Sequence, residues 1–247
     1  MFIKSTNSTN TLLKELIAMG QSPKFVYAGY QTAGRGQTGN GWESEEGKNL
    51  LCSILLPPRK NLFELNIAVS VAVYRVIRSV FCQRSGLCSE LSIKWPNDIY
   101  WQDKKVAGIL IENAIMGSEV KYSIAGIGLN VNQTKFQSDA PNPISLKQIY
   151  GKDFAVDELM EKLYAEVQKA LEEDVWDVYK AHLYRREGFW PFVEREVSVA
   201  PTMNADKGEK GIFMARIEDV LPTGEIVLKD QEGKERKYHY KQIRYVV

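Results

Sequence analysis

The stretch that most constrains the fold runs from residue 94 to residue 112 and reads KWPNDIYWQDKKVAGILIE. Pro96 fixes its own φ angle and pushes Trp95 into an extended conformation, so a helix cannot pass through this point. The segments after it are short, rich in β-branched and aromatic residues, and separated by a polar tetrapeptide at 102–105. The pattern therefore predicts a strand, a tight turn and a β-hairpin.

The same hairpin places polar side chains beside an apolar strand. Asn97, Asp98 and Lys105 flank the apolar run 106–111, and Gly108 interrupts that run. A glycine inside a strand often marks a close approach of a ligand or of another backbone. Two interpretations fit this pattern: a solvated hairpin with ordinary charges at its tip, or a binding site for a polar ligand.

Composition and charge narrow the class of protein. The chain has 247 residues, of which 44% are hydrophobic and 26% charged, as in a globular protein with one large domain or a medium and a small one. Its 32 basic and 31 acidic side chains leave a net charge of +1. A protein that holds a polyanion by charge is usually more basic, so we expect no DNA partner.

Cysteine and histidine usage indicates the cellular compartment. The three cysteines and two histidines lack metal-ligand spacing. We expect reduced thiols in a cytoplasmic protein. Lys14 and Glu15 interrupt the apolar residues near the N-terminus, which argues against a signal peptide. No apolar run approaches the ~20 residues of a membrane span, so we expect no membrane contact.

Two polar segments near the N-terminus are candidate binding elements. Residues 5–10 are small and polar, and precede a helical apolar pattern that begins at Leu12. They either cap the helix only or also direct hydroxyl and amide groups at a ligand. Residues 34–47 contain five glycines and match neither a P-loop nor a dinucleotide fingerprint. This segment is either a surface loop or a loop whose backbone N–H groups wrap an anion together with Arg35.

The rest of the chain divides near residues 188–195. Apolar stripes predict helices at 65–82, 145–150 and from Asp157 onwards. From Phe192 the chain reads as short strands with tight turns, which suggests a small barrel of SH3-like type. We therefore expect one domain at 1–190 and a second at 191–247.

Four motifs now stand in a fixed order along the chain. They are Ser8-Thr9-Asn10, the Gly34-Arg35-Gly36 loop up to Trp42, Lys94-Trp95-Pro96-Asn97-Asp98 with Lys105 and Gly108, and Gly126-Ile127-Gly128-Leu129-Asn130. Together they resemble the biotin–protein ligases, which include bacterial biotin–acetyl-CoA-carboxylase ligases and holocarboxylase synthetase. The resemblance covers nearly the whole chain. It implies an α/β (α+β) fold with a mixed, mainly antiparallel sheet backed by helices, like a class II synthetase, plus the SH3-like barrel.

The resemblance also implies an activity. Such an enzyme activates biotin with ATP as biotinoyl-5′-AMP and transfers it to a lysine of a biotin carboxyl carrier protein. The first step joins two anions, which Mg²⁺, a lysine and an arginine would screen. We expect a monomer or a homodimer.

Family motifs assign residues to each ligand. The catalytic residues implied are Lys105, Arg35 and Asp98, with Asp98 either a Mg²⁺ ligand or an orienter of Lys105. The biotin-binding residues implied are Ser8, Thr9, Asn10, Gln31, Arg35, Gly36, Gln37, Lys105, Gly108, Gly126 and Gly128. The ATP-binding residues implied are Trp42, Asn97, Ile111 and Asn130.

The sequence departs from the family pattern in two respects. Family members often carry arginine directly after Gly-Arg-Gly, whereas this chain has Gln37. The loop then has fewer charges with which to grip an adenylate, so we expect weaker retention. Bifunctional relatives also carry an N-terminal helix-turn-helix ahead of the catalytic domain, and because this sequence starts at the catalytic domain we expect no repressor function.

Two other functions remain open at this stage. A lipoate–protein ligase shares the adenylation chemistry and a related fold. A binding module of another class would use the C-terminal barrel to grip nucleic acid or a peptide. Residues 229–244 hold six basic side chains, but Asp230, Glu232 and Glu235 are interleaved with them. A solvated surface is therefore the better interpretation of that segment.

Overall fold

The fold is taken from a computed structural model that describes residues 1–37, 40–82, 87–117, 119–138, 142–196 and 207–246. Over these residues the chain forms two compact units, Met1–Val175 and Trp176–Val247. In the described part of the chain, no helix has the length and apolar character needed to cross a membrane.

The first unit contains helices and strands in alternation. In chain order they are β1 (Phe2–Ile3), α1 (Thr9–Ala18), β2 (Phe25–Ala28), β3 (Leu50–Leu56), α2 (Leu62–Phe81), β4 (Leu91–Lys94), β5 (Asp98–Trp101), β6 (Lys104–Met116), β7 (Glu119–Leu129), α3 (Leu146–Tyr150) and α4 (Val156–Glu172). Among the described residues the strands form a seven-stranded sheet in the order β1-β2-β3-β7-β6-β5-β4. Only β1 and β2 pair in parallel, as the predicted mixed, mainly antiparallel sheet requires.

Helices cover both faces of this sheet. Leu13 of α1 packs with Val26 and Ile124 on one face, where all three are buried. Phe25, the neighbour of Val26, points to the opposite face because side chains alternate along a strand. There its ring lies 5.0 Å from that of Tyr164 in α4. The sheet is thus apolar on both sides, and the site described below lies on the α1 face.

Most element predictions are confirmed, with two differences of detail. Strand β6 continues beyond residue 111 to Met116 and forms a long hairpin with β7. The helix predicted from Asp157 onwards begins at Val156, since Ala155 is the N-cap of α4 and Asp157 lies in its first turn and is not the cap residue. An acidic residue there still faces the partial positive charge of the helix N-terminus.

The prediction of reduced thiols is wrong for one pair of cysteines. Cys82, at the C-cap of α2, and Cys88, in the 3-10 turn Cys88–Glu90, form a disulfide across six positions of sequence. Their Cα atoms lie 5.6 Å apart, a normal separation for a disulfide. Cys52 stays free and buried in β3.

The second unit consists of a helix followed by a sheet. Its elements are α5 (Trp176–Ala181), β8 (Trp190–Glu196), β9 (Lys207–Val220), β10 (Ile226–Asp230), β11 (Glu235–Tyr238) and β12 (Ile243–Tyr245). Its described strands pair antiparallel in the order β11-β10-β9-β8-β12. The rings of Phe192, Phe213 and Tyr245 pack together in its core. The turns predicted at 222–224 and 230–233 connect β9 to β10 and β10 to β11.

We expect the packing of α1 to depend on Leu13. Leu13→Ala should lower the free energy of unfolding by about 2–5 kcal/mol, because it removes buried methyl groups and leaves a cavity between helix and sheet. Urea unfolding measures this value. Met19→Ala, at the exposed C-cap of the same helix, should change it by less than about 0.5 kcal/mol. Equal effects of the two substitutions would contradict the packing described here.

Candidate functional site

Three glycines form the floor of the site on two paired strands. Gly108 of β6 lies directly opposite Gly128 of β7, and Gly126 lies opposite Leu110. A Cβ atom at Gly126 would come within 2.9 Å of Cγ of Asn10. Side chains at these positions would therefore collide with groups that now lie flat on the sheet. Gly108 is closely approached, but by the side chains of Trp42 and Lys105 and not by another backbone; the approach of a ligand stays a prediction.

Trp42 lies on this floor. A Cβ atom at Gly128 would stand 2.6 Å from its Nε1 atom, and one at Gly108 would stand 2.8 Å from its Cζ3 atom. The backbone N–H of Trp42 donates to the carbonyl of Gly34 at 2.9 Å, which ties the ring to the glycine-rich loop. Nε1 is buried without a hydrogen-bond acceptor among the described residues. A buried indole N–H normally finds one, so this atom is a candidate donor to a ligand.

Lys105 stands beside the indole. Its Nζ atom is 5.6 Å from the centre of the Trp42 ring and 2.8 Å from Oδ2 of Asp98. The hairpin creates this pair, since Asp98 begins β5 and Lys105 lies near the start of β6. Both side chains are less than one-third exposed. The structure therefore holds a cation at the edge of the glycine floor and orients it with a carboxylate.

Hydroxyl groups at the start of α1 form the other end of the site. Ser8 is the N-cap residue, yet its side chain makes no capping hydrogen bond within the described structure. The backbone N–H of Thr9 donates to Oε1 of Gln31 at 2.8 Å. Ser8 and Thr9 are both buried. This arrangement favours the interpretation in which the cluster does more than cap the helix.

A chain of hydrogen bonds runs from Thr9 to Glu112. Oγ of Ser53 lies 2.8 Å from Oγ1 of Thr9 and 2.5 Å from Oδ1 of Asn10. A hydroxyl carries one proton; that of Ser53 is shared between Oγ1 of Thr9 and Oδ1 of Asn10, while the Thr9 hydroxyl donates to Oε1 of Gln31 at 3.1 Å. Nδ2 of Asn10 donates to Oε2 of Glu112 at 2.6 Å. Because the bonds are linked, they polarise and strengthen one another.

Glu112, at the end of this series of hydrogen bonds, forms ion pairs with two cationic side chains. Lys14 contacts its carboxylate at 2.8 Å and Arg35 at 3.2 Å. Burial alone would raise the pKa of the Glu112 carboxyl, but hydrogen bonds from Lys14 and Asn10 and the charges of Lys14 and Arg35 outweigh it, so the pKa is lowered. Glu112 is therefore ionised at neutral pH, and in this structure Arg35 is directed at it and at Thr11.

The residues next to Arg35 in the glycine-rich loop are held by contacts within the loop itself. Gly36 donates its N–H to the carbonyl of Asn40 at 2.7 Å, and Arg35 forms a β-bridge with Gly41. The Oε1 atom of Gln37 is buried without a donor among the described residues. The loop is therefore folded on itself at its base and presents an amide oxygen that lacks a partner.

Some predicted ATP-binding residues have structural partners. Asn97 donates to the carbonyl of Ile109 at 2.8 Å, and Asn130 to the carbonyls of Lys105 at 3.4 Å and of Ile144 at 3.3 Å. These amides hold the hairpin and the end of β7. Ile111 lies an odd number of positions from Gly108, so its side chain points to the opposite face of the sheet. The structure does not bring that side chain to the site, and any contact of Ile111 would come from its backbone.

Sequence analysis did not select several residues that complete the site. Ser53 and Glu112 join the head of α1 to the glycine floor, and Glu43 follows Trp42 directly. One signal for Ser53 was present, a lone hydroxyl in the apolar strand β3. No group of three or more His, Cys, Asp or Glu side chains that could hold a metal occurs in the described ranges.

Comparison with known proteins shows what the chain is similar to. Residues 2–130, just over half of the chain, match the model of the biotin/lipoate A/B protein ligase family. The bifunctional ligase/repressor BirA of Escherichia coli K12 is 28% identical over 194 residues, 76% of this chain and 55% of that protein. The biotin–[acetyl-CoA-carboxylase] ligase of Paracoccus denitrificans is 33% identical over 129 residues, 51% of this chain and 52% of that protein. The matched part of the chain thus spans about half the length of these relatives.

A solved structure supports the same comparison at the level of the fold. The biotin protein ligase from Aquifex aeolicus in complex with biotin and ATP matches 100% of this chain and 98% of its own chain. The TM-score is 0.76 and the sequence identity 23%. At this identity the likeness shows the fold.

The Glu112 cluster generates a prediction about stability and pH. Glu112→Gln should lower the free energy of unfolding at pH 7 by about 1 kcal/mol, a modest value because Lys14 and Arg35 are partly exposed and screened. The folded-state pKa is lowered from the ordinary value of 4.5. The amount by which the free energy of unfolding of the wild type exceeds that of Glu112→Gln should therefore be greatest above pH 4.5. It should shrink as the pH falls below 4.5 and vanish below the folded-state pKa of Glu112.

Urea unfolding of both proteins across this pH range measures the difference. Glu15→Gln, on the exposed side of α1, is the matched control and should follow the wild type at every pH. If the difference in free energy of unfolding between wild type and Glu112→Gln does not change with pH, the charge of the carboxylate does not contribute to stability.

Proposed function

Because this chain belongs to the biotin/lipoate A/B protein ligase family, we propose that it is an ATP-dependent biotin–protein ligase. In this proposal the carboxylate of biotin attacks the α-phosphate of ATP, which forms biotinoyl-5′-AMP and releases pyrophosphate. The amine of a lysine on a biotin carboxyl carrier protein then attacks the mixed anhydride, and AMP leaves.

The observation that carries this proposal is the layout of polar groups along β7. Gly126 lies under Asn10 and opposite Ser53, whereas Gly128 lies under Trp42. These glycines are two residues apart on one face, or about 6.8 Å. A ligand that displaces the Trp42 ring from Gly108 and Gly128 and lies along the strand would place an uncharged polar end near Gly126 and an anionic end near Lys105. Biotin has this form, with a ureido ring at one end and a carboxylate at the other.

The same groups favour biotin over lipoate. Thr9, Asn10 and Ser53 are buried hydroxyl and amide groups. In this structure they are bonded to one another, and a ligand that displaces such a bond loses affinity unless it supplies a replacement; the dithiolane ring of lipoate has no hydrogen-bond donor and only weak acceptors. The ureido ring of biotin supplies N–H donors and a carbonyl. A lipoate ligase remains the alternative enzyme that the substrate test below addresses.

Lys105 is proposed as the cation at the reacting atoms. It would contact the biotin carboxylate and the α-phosphate, where two negative charges meet and a positioned cation stabilises the transition state. The 2.8 Å pair with Asp98 supports the orienting role of that carboxylate. Arg35 is the second cation proposed, and it would exchange Glu112 for a ligand oxygen. We place the adenine against Trp42.

Magnesium is expected to enter with the nucleotide. Mg²⁺ is commonly held by one or two carboxylates together with substrate phosphates, and the carboxylate of Asp98 beside Lys105 fits that donor set. When bound, the ion would screen the charge of the phosphates. Lys105 and Arg35 would still orient the reacting oxygens, because they are fixed by the protein.

The other parts of the proposal concern organisation and partners. We assign residues 1–190 to the catalytic domain and 191–247 to an SH3-like domain, which the five-stranded antiparallel sheet supports. The need for ATP and a carrier protein favours the cytoplasm.

Charge pairing supports a solvated surface at 229–244 over a nucleic-acid face, since Lys229 pairs with Glu235 at 3.3 Å and Arg236 with Asp230 at 2.9 Å.

The first test is substrate-dependent adenylation. The purified protein should release pyrophosphate from ATP and Mg²⁺ only when biotin is added, and biotinoyl-AMP should accumulate. Mass spectrometry identifies the product, and competition between biotin and lipoate measures selectivity. Equal turnover of the two acids would favour the lipoate alternative, and no turnover of biotin would refute the assignment.

The second test concerns Lys105. Lys105→Ala should reduce the rate of adenylate formation by roughly 10²–10³, the usual effect of losing one preorganised electrostatic donor. Single-turnover formation of biotinoyl-AMP is the measurement, with circular dichroism to check folding. Lys104→Ala, at the exposed neighbouring position, is the control and should keep the wild-type rate. A Lys105→Ala protein that keeps near wild-type adenylation would place the role on another residue.

A further inference from the structure

Glu43 connects two loops that border the site. It lies in the glycine-rich loop directly after Trp42. Its carboxylate accepts hydrogen bonds from the backbone N–H of Gln137 at 2.9 Å and of Ser138 at 2.7 Å. Nε2 of Gln133 donates to the same carboxylate at 3.0 Å. These donors belong to the segment that follows β7, about 90 residues further along the chain.

The carboxylate is held as an anion. Partial burial would raise the pKa of Glu43, but hydrogen bonds from Ser138, Gln137 and Gln133 outweigh it and lower the pKa. Hydrogen bonds from backbone N–H groups to a carboxylate are about twice as strong as those between neutral groups. Adjacent N–H groups that point at one carboxylate also fix its position. The link between the loops is therefore directional.

Neighbouring bonds extend the link in both directions. Oε1 of Gln133 accepts from the N–H of Glu45 at 2.9 Å and from Nδ2 of Asn49 at 2.6 Å. The N–H of Asn132 donates to the carbonyl of Lys48 at 2.8 Å. The whole segment 43–49 is thus joined to the segment 131–138.

The second loop returns to the catalytic lysine. The N–H of Lys105 donates to the carbonyl of Asn142 at 2.9 Å, and the N–H of Ile144 donates to the carbonyl of Lys105 at 3.0 Å. Of the described residues, 131–138 follow β7 and contact the glycine-rich loop, and 142–144 contact Lys105. Glu43 joins the loops at the end of the glycine floor where Trp42 and Lys105 lie.

We propose that Glu43 is a positioning residue that clasps the two loops together and so retains biotinoyl-AMP against Trp42. The proposal rests on the proposed function and adds a means of retention to it. The position after Gly-Arg-Gly carries Gln37, so the loop has less positive charge with which to hold a phosphate. Here the hold comes instead from bonds between protein segments, which must break before the loop can open and a bound adenylate can leave.

The first experiment measures the clasp itself and needs no substrate. Glu43→Gln removes the negative charge, and the one oxygen that remains must serve the N–H groups of Gln137, Ser138 and Gln133, which now share two carboxylate oxygens, while the new NH₂ group can only donate. Hydrogen exchange of these two backbone amides, followed by NMR in the protein without ligand, should become roughly tenfold faster or more. Glu46→Gln, an exposed glutamate in the same loop, should leave both rates unchanged. Unchanged exchange in Glu43→Gln would overturn the proposal.

The second experiment measures retention. Biotinoyl-AMP formed on the enzyme should dissociate roughly tenfold faster or more from Glu43→Gln than from wild type and Glu46→Gln, whereas its rate of formation should stay within about threefold, because Lys105 and Asp98 are intact. The thermal unfolding midpoint checks that the variant is folded. Dissociation at the wild-type rate would overturn the proposal even if amide exchange had increased. A wild type that forms no biotinoyl-AMP would instead refute the proposed function, and amide exchange would still decide whether the clasp exists.

Discussion

The site depends on the absence of side chains at the middle of one β-hairpin. Gly108, Gly126 and Gly128 leave the α1 face of the sheet bare at the point where β6 and β7 pair. Asn10 and Trp42 lie on this bare surface from opposite ends, one carried by a helix and the other by a loop. A side chain as small as alanine would separate both from the sheet. The sheet thus supplies a flat floor, and the elements around it supply the chemistry.

Charges at the site are neutralised within the protein. Asp98 pairs with Lys105, and Glu112 pairs with Lys14 and Arg35. The cations are therefore held in place without being left as isolated charges, which would be costly where they are partly buried. An anionic ligand that reaches them must compete with carboxylates that are already bonded. Binding then becomes an exchange of partners, which favours ligands whose anionic oxygens match the fixed positions of the donors.

Sequence reasoning located the floor and the loops because their signals are local. A glycine in an apolar strand such as Gly108, or proline after Trp95, restricts the backbone wherever the chain folds. Glu43 and Glu112 carry no such signal, and the lone hydroxyl of Ser53 does not identify its partners, because these contacts arise from strand register and join residues 43 to 102 positions apart. The Cys82–Cys88 disulfide was missed for a related reason, since its formation depends on how the chain turns after α2.

The position of Glu43 shows how a glycine-rich loop with few cations is fixed to the rest of the protein. Cations that grip a phosphate act only while the phosphate is present, and salt screens them where they are exposed. A carboxylate that accepts backbone N–H groups of a second loop acts whether or not a ligand is bound, because both partners belong to the protein. Part of the conformational-entropy cost of ordering the loop is then incurred when the protein folds, before any ligand binds. The carboxylate of Glu43 therefore holds the loop by contacts that do not depend on a bound ligand.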